Sequence, residues 1–278
     1  MKTTMKTRVL TSVALIAVLL PFVIFSHTWV FPCFMALLSA VAAYEILHCL
    51  GCHTKWYTAV PAYAVSIVFV LLTRLTDRFL DVTVMISMVY LFFLMSAAVF
   101  SHGKFTMVQA CQLFAMTLYT TTGFLSIVRL RDLEHGQFIF LLAFLVPWIS
   151  DVFAYFTGSL IGKHKLIPDV SPKKTVEGAL GGVVFGTLSL LLYGFAVGAF
   201  FEAHPRYVGL LLMGVVLTVV SQCGDLIASL LKRQYGIKDY GWIFPGHGGV
   251  LDRFDSIVAT ATFLYLLSSF PKIFGIFF

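Results

Sequence analysis

The apolar residues of this chain come in long unbroken blocks, not in the spaced stripe of a helix lying on a soluble core. Nine blocks follow one another, at about 8–26, 28–47, 57–73, 80–100, 107–127, 136–161, 177–201, 207–231 and 253–270, each close to the length that carries an α-helix through a hydrocarbon layer. They are rich in Leu, Phe, Val and Ala without a two-residue alternation, so helices are predicted and a β-barrel is not. The expected fold is an all-α polytopic membrane protein with about nine transmembrane helices. Only two polar breaks are long, at 162–176 and 232–252. Nothing outside the blocks is long enough to be a domain, so residues 1–278 read as a single integral membrane domain. Within it, 1–135 supply N-terminal helices, and 136–278 supply the helices and loops that hold the polar chemistry.

Composition excludes a water-soluble globule. The chain is 59% hydrophobic and only 12% charged, about half the charge of a soluble domain. The start, up to Phe25, resembles a signal peptide, but no small-residue cleavage site follows it and more blocks come after. The first helix is therefore expected to be retained. With the N-terminus on the inner side, 13 of the 19 Lys and Arg fall on inner segments, which predicts a cytoplasmic N-terminus and places both long polar breaks on the cytoplasmic face. The net charge of +6 then points to anionic lipid. No run interleaves aromatic and basic residues outside the blocks, so nucleic acid is not expected as a partner.

The five cysteines, Cys33, Cys49, Cys52, Cys111 and Cys223, are odd in number and scattered, which gives no disulfide framework. His48-Cys49-Leu50-Gly51-Cys52-His53 matches a haem-attachment pattern and half a zinc site. Haem attachment belongs on an oxidising outer face and zinc needs two more ligands, so a structural role is expected. Glu45, near the end of the second block, is an intramembrane acid and hence a site candidate, although so near a helix end it can also reach the headgroups.

The second half carries the chemistry. Asp151 lies well inside the sixth block, about 15 Å along a helix from the nearest following lysine, so an inward-facing, paired acid is expected. Ser171-Pro172-Lys173-Lys174-Thr175 precedes a helix start. There the ammonium groups and free backbone N–H groups suit phosphate, and an ordinary inner-face loop fits the same spacing. Gly178, Gly181, Gly182 and Gly186 read as close helix contacts, and the order of a Walker A loop is missing.

The densest polar stretch is Ser221–Ser256, where eight charged residues fall within 31 positions. Asp225 sits two helical turns before Lys232, and Asp252 and Asp255, three apart, share one helix face. Three carboxylates beside Lys232, Arg233, Lys238 and Arg253 can hold a hard cation against phosphates; an internal salt-bridge network uses the same residues. Gly246, Gly248 and Gly249 allow backbone N–H groups to approach an anion. His247 between them can bind phosphate, transfer a proton or make a structural hydrogen bond.

Ser229, Lys232, Arg233, Lys238, Asp239, Gly241, Pro245, Gly246, His247, Gly248, Gly249, Asp252, Arg253 and Asp255 stand in one ungapped order. That order resembles the signature of phosphatidate cytidylyltransferases, the CDP-diacylglycerol synthases. Gly224-Asp225-Leu226, Asp151 with Ala154-Tyr155, and the Ser-Pro-Lys-Lys-Thr stretch are also similar to the family. The likeness covers about 150–256, and departs from the family at Ala228 and Val176. It implies transfer of the cytidylyl group of CTP to phosphatidate, giving CDP-diacylglycerol and pyrophosphate in phospholipid biosynthesis. It further implies Mg²⁺ on Asp225, Asp252 and Asp255, with room for a second cation. Lys232, Arg233, Lys238, Asp239, His247 and Arg253 would complete the catalytic set. Asp151, Ser171, Lys173, Lys174, Thr175, Gly248 and Gly249 would line the substrates, CTP and phosphatidate. A bacterial inner membrane and a site facing the cytoplasm follow from the resemblance and the charge bias together, and a homodimer is implied by the resemblance alone. A CTP-dependent lipid or polyprenol kinase, and a transporter using Asp151 and Asp225 as ion sites, are the competing readings.

Overall fold

The computed structural model describes residues 20–201, 204–244, 246 and 248–270. Among them run eight long helices: α1 (Val30–Cys49), α2 (Trp56–Leu75), α3 (Phe79–Phe100), α4 (Met107–Arg131), α5 (Gly136–Ile161), α6 (Val176–Phe201), α7 (Tyr207–Gln234) and α8 (Leu251–Ser268). Their ends fall within a few residues of the second to ninth expected blocks. Of the first block, residues 8–19 lie outside the described residues. Seven helices, α1 to α7, are long and apolar enough to cross a membrane. Their outer surfaces are as apolar as their cores: Phe92, Leu160 and Phe200 stand exposed on three different helices, which in water would be costly and in lipid is not. The chain is an all-α polytopic membrane protein.

One element was not expected. The polar break at 162–176 contains a short antiparallel hairpin, β1 (Lys165–Ile167) and β2 (Ser171–Thr175), paired Lys165 with Thr175 and Ile167 with Ser171. Strands of three and five residues are too short to reveal an alternation. The legible signal is the turn pair Pro168-Asp169.

The chain forms two compact units: the described parts of Met1–Val128 with Gln234–Phe254, and of Arg129–Arg233 with Asp255–Phe278. In the first, hydroxyls join helices that greasy packing alone would leave free to slide. Ser39 Oγ donates to Thr121 Oγ1 at 3.5 Å, and Thr121 Oγ1 to Ser66 Oγ at 3.4 Å, tying α1, α4 and α2 together. The His48–His53 segment ends α1 in a Schellman turn. Gly51 takes φ +65°, and the Cys52 N–H reaches back to Leu47 O at 2.8 Å. Burial pushes the Cys52 thiol above its ordinary value.

In the second unit, α6 packs against α5 and α7 on its small-residue face. The three helices meet around Gly182, where an added Cβ would lie 2.9 Å from Ser150 O and from Gln222 Nε2. Only glycine lets these three helices meet so closely.

Candidate active site

Where α5 ends, the chain is tied down at once. The Glu177 carboxylate, in the first turn of α6, accepts the Lys163 N–H at 3.1 Å and the His164 N–H at 3.2 Å, and meets His164 Nδ1 at 2.6 Å. Thr175 caps the same helix, its Oγ1 accepting the Gly178 N–H at 3.1 Å. Together they fix the second strand of the hairpin onto the head of α6. The lysines just before Thr175 are thereby held over the ends of α5 and α7.

They overlook a cavity of about 300 Å³ walled by α5, the hairpin, α6 and α7, with Asp151, Lys173, Lys174, Thr175, Gln222 and Asp225 on its surface. Lys174 Nζ pairs with Asp225 Oδ2, each side chain 27% exposed. Carboxylates at this depth in an apolar bundle demand cations, and here one is supplied by a strand. Asp255 on α8 is buried, holds the Ser256 N–H at 2.8 Å, and has Asp225, Lys232 and Asp151 as its charged neighbours. Lys232 itself is buried.

Gln222 was not singled out in the sequence. Its Nε2 donates to Ala179 O at 3.0 Å and to Ser150 Oγ at 3.4 Å, so it braces α5, α6 and α7 on the cavity wall. A signal existed: Gln222 stands three residues before Asp225 and so shares its helix face.

The other unit holds the rest of the expected set. Asp252, buried at the start of α8, accepts the Tyr240 N–H at 2.7 Å and the Gly249 N–H at 2.9 Å, both on Oδ2. It thereby closes the 240–250 segment into a tight loop. Gly246 and Gly248 supply the left-handed turns, with φ of 80° and 82°, and Phe244 bridges to Gly248. The Gly249 N–H, expected to face an anion, points instead at Asp252. Lys238, Asp239 and Arg253 are exposed, as is Arg233 at the end of the first-described cavity's own unit. Ser171 begins the second strand. His247 lies outside the described residues. Glu45, fully buried on α1, also bonds to this loop.

Thus Asp151, Lys173, Lys174, Thr175 and Asp225 share one cavity, with Lys232 and Asp255 in the same unit. Lys238, Asp239, Gly248, Gly249, Asp252 and Arg253 belong to the other. Among the described residues no three His, Cys, Asp or Glu side chains are grouped so as to hold an ion unaided. Mg²⁺ needs less: one or two carboxylates, the remaining positions going to phosphate oxygens and water. Asp151 on α5 and Asp225 on α7, lining one cavity, fit that requirement.

Residues 6–270 match the family model described as "Cytidylyltransferase family". Over 266 residues the chain is 32% identical to a protein of Staphylococcus epidermidis named phosphatidate cytidylyltransferase, covering 95% of this chain and 98% of that protein. Proteins of the same name from Staphylococcus haemolyticus and Staphylococcus aureus are 33% and 32% identical over the same spans.

Proposed function

The chain belongs to the cytidylyltransferase family, and we propose from that premise that it is a phosphatidate cytidylyltransferase. It joins CTP and phosphatidate to give CDP-diacylglycerol and pyrophosphate. The observation that carries this reading is the cavity in which a strand-borne lysine pair meets Asp151 and Asp225.

A phosphate oxygen of the lipid attacks the α-phosphorus of CTP. The bond from that phosphorus to the bridging oxygen breaks, and pyrophosphate carries away the electron pair. No covalent enzyme intermediate is needed; positioning and charge neutralisation suffice. Lys173 and Lys174 face the negative charge of the entering triphosphate. Asp225 holds Lys174 in place as a point charge that is already desolvated, so little reorganisation is left for the moment of reaction. Lys232, Arg233, Lys238 and Arg253 are the further phosphate partners. Asp225, with Asp151 lining the same cavity, would hold Mg²⁺, which would neutralise triphosphate charge when bound; the signature adds Asp255 and Asp252 as further carboxylates for the reaction. A soluble donor and a two-chained acceptor must meet at the membrane surface, so the site opens to the cytoplasm of a bacterial inner membrane. The family likeness extends the proposal to a homodimer.

The test uses the full chain in detergent–phosphatidate micelles with CTP labelled at either the α or the γ phosphate. Label at the α position should pass into lipid, and label at the γ position should leave as pyrophosphate. CDP with γ-label in lipid would mean a kinase, and no turnover with net solute movement in vesicles would mean a transporter.

A further inference from the structure

Among the described residues, the first half of the chain contributes an ionisable group, Glu45, to the motif loop. Glu45, near the end of α1, is 0% exposed. Its Oε1 accepts the Val250 N–H at 2.8 Å and its Oε2 the Leu251 N–H at 2.7 Å. These are N–H groups at the start of α8, where a helix has no internal acceptors, and the charge sits at the positive end of the helix dipole. Val250 has no side-chain oxygen to serve as a cap. A carboxylate 205 positions away does the capping.

The same carboxylate also shapes the loop by its bulk. A Cβ on Gly249 would lie 2.2 Å from Glu45 Oε1, and one on Gly241 2.6 Å from it. The loop folds flat against Glu45 on one side while Asp252 Oδ2 takes the Tyr240 and Gly249 N–H groups on the other. Gly249 is thus gripped between two carboxylates. Move Glu45, and the acceptor geometry at Asp252 moves with it.

We propose that Glu45 is a positioning residue for cytidylyl transfer, acting through the 240–251 loop to fix Asp252 and Arg253 at the head of α8. The proposal rests on the function proposed above. A buried acid serving stability alone has a different signature from one that sets the aim of reacting groups. The first lowers melting temperature and disturbs every kinetic constant; the second lowers kcat and leaves substrate affinity intact.

Glu45→Gln keeps the volume but turns one acceptor into a donor that faces a backbone N–H. In purified full-length enzyme kcat should fall at least tenfold, KM for CTP and for phosphatidate should stay within about twofold, and the melting temperature in detergent should be close to wild type. Glu45→Asp keeps both acceptors and should recover part of the loss. Hydrogen–deuterium exchange should rise across 240–252 in Glu45→Gln and nowhere else. Should Glu45→Gln fail to insert, Gly241→Ala presses on the same carboxylate and should give the same kcat-selective loss. A kcat within threefold of wild type in these variants, a joint fall of kcat, both affinities and stability, or unchanged exchange in the loop would each overturn the proposal. If wild type itself makes no CDP-diacylglycerol while the loop exchange still responds to Glu45→Gln, the functional reading fails and the clamp stands.

Discussion

Replacing Lys174 with alanine removes a cation that the structure pairs directly with Asp225. Both partners are about three-quarters buried, which puts the pair between a surface bridge worth under about 1 kcal/mol and a fully buried one. At an ordinary ion-pair separation of about 4 Å, the Lys174 ammonium and one negative charge of the triphosphate in the transition state attract by about 4 kcal/mol at an effective dielectric constant of about 20. Water entering the vacated space offsets roughly a third to a half of that, leaving ~2–3 kcal/mol, in line with hydrogen bonds to charged groups. At about 1.4 kcal/mol per factor of ten, kcat/KM should fall by roughly 30- to 150-fold. The assay is transfer of α-labelled CMP into lipid in mixed micelles, with expression and melting temperature as controls. Pairing the change with Asp225→Asn closes a double-mutant cycle, and the two losses should fail to add because each removes the same interaction. A Lys174→Ala enzyme within threefold of wild type, or strictly additive losses, would refute the role given to this pair.

Asp225→Asn and Asp252→Asn should each lower turnover by at least about a hundredfold, the scale for losing one electrostatic group at a reacting centre, while the protein still reaches the membrane; near-normal turnover in either would remove that residue from the site. Stripping divalent cations with a chelator should stop the reaction and Mg²⁺ should restore it, followed by pyrophosphate release; unimpaired turnover in chelator would end the metal assignment. Gly182→Ala, whose Cβ would press within 2.9 Å of Ser150 and Gln222, should cost about 1–3 kcal/mol by overpacking, read as a lower melting temperature; unchanged stability would contradict the close packing of α5, α6 and α7.

Block lengths made the helices legible, because in lipid the hydrophobic thickness dictates where a span begins and ends. Charge isolation did the same for Asp151, Lys173, Lys174 and Asp225, since four polar side chains in an apolar half have few ways to be satisfied apart. Three features escaped. The hairpin was hidden because its strands are shorter than any period they might show. Gln222 was hidden because a neutral amide carries no cost conspicuous enough to announce itself. The partnership of Glu45 with Val250 and Leu251 was hidden for a different reason: contacts across 205 positions leave no trace in local spacing. The Gly249 N–H was read as an anion donor because glycine spacing reports what a backbone can do. Which acceptor it finds is decided by the fold.

The hairpin before α6 makes neighbouring parts of the chain unequally tolerant of change. Its tip, Ile167–Asp169, is exposed, while its base is nailed by Thr175 and Glu177. A slip of one position would draw Lys174 off Asp225 and put Lys173, the more exposed of the two lysines on the cavity, in its place. Designed variants that lengthen the tip, or carry a tag there, should therefore keep the reaction intact. A single residue gained or lost between Ser171 and Thr175 would break the register that brings Lys174 to Asp225.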